Sequence, residues 1–98
     1  MANTRLELPV PEAALEATNG REVLRLWTTD SGERVILRID GLEPAAWGLM
    51  LVDVARHVAH AYGRQGRFSL NDAFAEVVTM FIAEIQEPTD QVRPVDES

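Results

Sequence analysis

Residues 44–62 read PAAWGLMLVDVARHVAHAY, and the other segments are arranged around what this stretch becomes. At roughly 100° per residue it is expected to form an amphipathic helix with most of its circumference buried. Trp47, Leu51, Val54, Val58 and Tyr62 fall on one side, and Gly48, Val52, Ala55 and Ala59 make an adjoining stripe of small residues. Two other elements can therefore pack on it at once. Asp53, Arg56, His57 and His60 share the narrow polar arc that is left. Pro44 stands at the helix start, and Gly63 is the expected left-handed stop. Gly48, inside the helix, costs about 1 kcal/mol relative to alanine, which implies that another backbone approaches closely there.

Moving toward the C-terminus, residues 63–68 form a short connector. Ser69-Leu70-Asn71-Asp72 then resembles a capping box, with Asp in place of the commoner Glu or Gln. A second helix is expected over Leu70 to Gln86. Leu70, Phe74, Val77, Phe81 and Ile85 recur at helical spacing, and Asp72, Glu76, Thr79 and Glu84 lie opposite them. A short connector makes the two helices antiparallel neighbours. Pro88 ends the second helix, and residues 88–98 read as a disordered acidic tail.

Toward the N-terminus, residues 21–29 and 33–40 are rich in Val, Leu, Ile and Trp and flank Asp30-Ser31-Gly32, the pattern of a β-hairpin. A three-residue turn with Gly32 in the left-handed bulge position pairs Thr29 with Glu33 and sets Val23, Arg25 and Trp27 across from Ile39, Leu37 and Val35. A two-residue turn at Ser31-Gly32 instead puts Leu24 and Leu26 opposite Ile39 and Leu37. The first is preferred because of where it places Gly32. In either register both faces keep large apolar groups. One face can cover the helices; the other holds Leu24, Leu26 and Ile36, or Trp27 and Ile36, with no further strand to hide them. Two strands alone are marginal, and apolar edges invite pairing with another chain. A homodimer joined through the hairpin is therefore the expected partner state. Residues 11–20 predict a short N-terminal helical turn, and residues 1–10 a loose arm interrupted by Pro9. The expected fold is α+β, a β-hairpin followed by two antiparallel α-helices in two layers, with residues 11–87 as a single domain.

The 98 residues carry sixteen acidic and nine basic side chains for a formal charge of −7. All the basic residues are arginine, so lysine-based covalent chemistry is excluded. No cationic run faces phosphates or anionic lipid, which argues against nucleic acid and membrane surfaces as partners. The longest apolar run, residues 45–52, falls far short of the roughly 20 residues a transmembrane helix needs. With no cysteine, disulfides and thiolate sites are excluded. The N-terminus shows no secretory pattern, so a cytoplasmic location is expected.

REVLRLW, the DSG turn, the alternating VILRI and EPAAWGLMLVDVARHVAHAY together resemble a family of small bacterial proteins classed only as a domain of unknown function and common in alphaproteobacteria. The resemblance covers about residues 8–86 and is most specific at PAAWG and ARHVAHAY. It implies a cytoplasmic bacterial origin and supplies no catalytic residues.

Two polar clusters remain as candidates. Asp53, His57 and His60 lie within about 60° of arc, and one divalent metal takes such ligands at i, i+4 and i+7. The plainer account is a solvent-facing arc with an Asp53–His57 pair. Arg64, Arg67 and Ser69 precede the second helix, where free N–H groups and guanidinium groups suit an anion. The plainer account there is a helix end whose arginines complement the dipole. Trp27 and Trp47 are better placed for packing than for stacking on a ligand. No nucleophile elbow or carboxylate pair stands out, and no cofactor is called for. The expected function is a non-enzymatic interaction or accessory module. The alternatives are a metal binder or metal-dependent hydrolase built on Asp53, His57 and His60, and a small-molecule binding domain.

Overall fold

The computed structural model describes residues 6–88 and 96–97. In chain order they form α1 (Glu12–Glu16), β1 (Leu24–Thr29), β2 (Gly32–Leu37), α2 (Pro44–Gln65), α3 (Leu70–Gln86) and β3 (Asp96–Glu97). The hairpin-then-helices order is the one the sequence predicts. The chain divides into two compact units between Arg38 and Ile39, one built on the hairpin and one on the helical pair.

In the first unit, Pro11 is the N-cap of α1 and lies just outside it, and the helix ends at Glu16, before Asn19-Gly20. Gly20 is required here, because a Cβ on it would stand 2.8 Å from the Ala14 carbonyl oxygen.

β1 and β2 are antiparallel, but neither expected register is the one adopted. Leu24 pairs with Leu37, Arg25 with Ile36, Leu26 with Val35, Trp27 with Arg34 and Thr29 with Gly32. The turn is therefore Asp30-Ser31. Thr29 holds it there: its hydroxyl donates to the Gly32 carbonyl at 2.7 Å and accepts from the Ser31 N–H at 3.3 Å. Gly32 follows with φ +112°, a value a side chain rarely tolerates. Since strand side chains alternate between faces, this register groups Leu24, Leu26, Val35 and Leu37 on one face. Trp27 and Ile36 lie on the other with Arg25 and Arg34.

The expectation that no further strand exists is also corrected. Asp96 and Glu97 pair in parallel with Ile36 and Leu37, making β3 a two-residue third strand on the outer edge of β2. The remainder of the expected disordered tail, residues 89–95 and 98, lies outside the described residues, as do residues 1–5 of the expected arm.

In the second unit, α2 runs past Gly63. Its left-handed C-cap is Gly66, with φ +90°, whose N–H donates to the Tyr62 carbonyl at 3.1 Å. Gly63 stays helical because α3 begins against it; a Cβ there would lie 3.5 Å from Leu70 Cβ. Gly48, expected to admit another backbone, has nothing within 4 Å of where its Cβ would be. Ser69 caps α3, its Oγ accepting from the Asp72 N–H at 3.1 Å, so the capping reading holds on that side.

The helices are antiparallel: Gly63 meets Leu70 near the connector, and one turn or two back the Arg56 guanidinium lies 5.8 Å from the Phe74 ring centroid. They pack through the small stripe. Ala59 of α2 is fully buried and Ala73 of α3 is 5% exposed, which lets the two backbones approach closely. Tyr62 and Phe68 close the connector end in an edge-to-face contact with centroids 5.7 Å apart.

Candidate functional site

The polar arc of α2 is built as the helical spacing requires. Asp53, His57 and His60 share one exposed surface of the helix. Among the described residues, however, no three His, Cys, Asp or Glu side chains converge in a group that could hold a metal ion. Arg56, beside them, is turned to the Phe74 ring and not to the carboxylate. The arrangement is a row of separate polar groups, able to exchange hydrogen bonds with water and with a partner surface.

At the connector, the three residues of the anion candidate are each engaged locally. Ser69 Oγ is committed to the Asp72 N–H, and the Arg67 guanidinium lies 5.4 Å from the Phe68 ring centroid. Arg64 sits in the last turn of α2, where a cation complements the helix dipole. Each of the three thus has a local structural role.

A strong ion pair lies on the hairpin unit. Arg25 donates to Glu22 through Nε at 3.1 Å and Nη2 at 2.5 Å, and its Nη1 stands 3.7 Å from the Glu7 carboxylate. The hydrogen bond from Arg25 holds the Glu22 carboxyl below its ordinary range, and the same contact raises Arg25. Both groups are open to solvent, so this is surface stitching.

What the structure offers in quantity is apolar surface. Among the described residues no polar or charged side chain is buried, and the buried apolar side chains are Ala59 and Ala73. Leu26 is 52% and Ile36 40% exposed, while Leu24 and Trp27 are half-buried. On the helices Leu51, Val54, Val58, Phe81, Ile82 and Ile85 are exposed. Sequence reasoning identified the hairpin surface, but its expectation that most of the circumference of α2 is buried is corrected: Ala59 is the buried residue of that helix. The signal that marks the helix surface is the breadth of the apolar arc on α2, wider than one neighbouring helix can cover. Trp47 adds a further mark. Its indole Nε1 is buried with no hydrogen-bond partner, a state that costs about 1–3 kcal/mol for a buried donor.

Residues 7–89 match the family described as Domain of unknown function (DUF5076). The chain belongs to this family. A solved structure from the photosynthetic bacterium Rhodopseudomonas palustrus, itself given only the provisional name of a pyruvate dehydrogenase, is 33% identical over 96% of both chains, with a TM-score of 0.76. No curated protein matches. Family membership agrees with the resemblance read from REVLRLW through ARHVAHAY. No helix among the described residues is long and apolar enough to cross a membrane.

Proposed function

We propose that this protein is a non-enzymatic accessory module of the bacterial cytoplasm that works as a homodimer. One observation carries the reading: among the described residues eighteen large apolar side chains stay more than a third exposed, while the fully enclosed ones are two alanines. Burying a leucine, valine or phenylalanine contributes about 1.5–3 kcal/mol, and two alanines cannot replace that. A second copy supplies the missing cover symmetrically, with the hairpin residues Leu24, Leu26, Trp27 and Ile36 as one of the surfaces it meets.

The name given to the Rhodopseudomonas chain is not brought over.

Size-exclusion chromatography with light scattering tests the proposal. The expected mass is 21.8 kDa, twice the 10.9 kDa of one chain, at micromolar concentration. A 10.9 kDa particle there would overturn it.

A further inference from the structure

The apolar arc of α2, exposed at Leu51, Val54 and Val58 and half-buried at Trp47, has an internal order that random surface lacks. Trp47, Leu51, Val54, Val58 and Ala61 follow one another at intervals of four, three, four and three residues. This is the a/d spacing by which one helix meets another side by side. The seam centres about 120° around the helix from the Ala59 stripe that α3 occupies. Leu51, Val54 and Val58 on it are 43%, 48% and 37% exposed. Asp53 lies on a different side of the helix, so the seam itself carries no carboxylate.

We infer that α2 of a second copy lies antiparallel along this seam and makes the twofold core of the homodimer. This deepens the homodimer reading and rests on it. The choice of occupant comes from the residues flanking the seam. In antiparallel a/d packing about a dyad between residues 52 and 53, Trp47 faces the second copy's Val58, and Leu51 faces the second copy's Val54. The same register sets Glu43 beside the second copy's Arg64 and Met50 beside the second copy's His57. Glu43 is the N-cap of α2 and Arg64 lies in its last turn. The twofold therefore repeats one acid–base pair at both ends of the contact. It also lays the positive end of each helix dipole against the negative end of the other. A chain of net charge −7 repels its own copies unless the contact is locally neutral and self-complementary, and this face is both.

Sedimentation equilibrium on the full chain tests the seam. Leu51→Glu is expected to raise the dimer dissociation constant at least about a hundredfold, since it drives a charge into the seam. Glu43→Arg and Arg64→Glu are each expected to raise it about threefold to tenfold, and the double exchange to restore it to within about twofold. Retention of the helical far-ultraviolet signal shows that each variant is folded. If Leu51→Glu fails to fold, the charge-exchange cycle is sufficient: loss and restoration support the seam, and indifference overturns it. A wild-type dimer whose affinity ignores both the Leu51 and the charge variants, while Ile36→Lys on the hairpin disrupts it, overturns the α2 seam and leaves the homodimer standing. A monomeric wild type overturns both.

Discussion

Two glycines separate two uses of the residue. Gly66 holds φ +90° at the end of α2, where any side chain is strained even though the space around it is open. Gly66→Ala is expected to lower stability by about 1 kcal/mol, read as a fall in the urea midpoint at unchanged slope. Gly48 sits inside α2 with nothing within 4 Å of its missing Cβ, so the entropy it costs is not offset by a close approach. Gly48→Ala is expected to raise stability by up to about 1 kcal/mol in the same measurement. A third residue-level expectation concerns Glu22, whose carboxyl the Arg25 hydrogen bond holds below 4.5. A folded-state pKa below the unfolded one stabilises above the unfolded value, and that contribution disappears as pH falls through the folded one. Glu22→Gln should therefore destabilise the hairpin slightly at neutral pH. Paired denaturation curves should converge with wild type as pH falls through the lowered folded-state pKa of Glu22.

At the scale of elements, α2 and α3 hold together through a line of small side chains and a single cap. Ser69→Ala removes the acceptor for the Asp72 N–H and is expected to cost about 1 kcal/mol in thermal or urea unfolding. Ala59→Leu forces a larger side chain into the tightest point of the helix pair. It is expected to cost about 1–3 kcal/mol while helical content is retained. Both helices were legible in the sequence because their apolar residues recur at helical period and because Pro44 and Ser69 mark their starts. The end of α2 was not, since Gly63 and Gly66 are both competent to take a left-handed cap. Arg64 and Gln65 between them are good helix formers, and Leu70 packs against Gly63, so the helix runs on to the later glycine. The hairpin register escaped for a related reason. The two expected registers place the turn a step or two further along the chain, and the one adopted pairs Thr29 with Gly32, where the Thr29 hydroxyl bonds Ser31 and Gly32.

At the scale of the molecule, the proposed homodimer makes stability a matter of mass action. If a second copy covers it, the melting temperature rises with protein concentration, and calorimetry across a hundredfold dilution series is expected to show that rise. A melting temperature independent of concentration would count against self-association. By itself the sequence determined the family, the order of hairpin and helices, the caps at the helix starts and the apolar character of both hairpin faces. All of these follow from local periodicity and local side-chain chemistry. Only the tertiary structure decided which stripe of α2 receives α3, and hence that Leu51, Val54 and Val58 are left exposed. The reason is steric: two helices approach most closely where side chains are smallest, and the larger apolar residues are left for another surface.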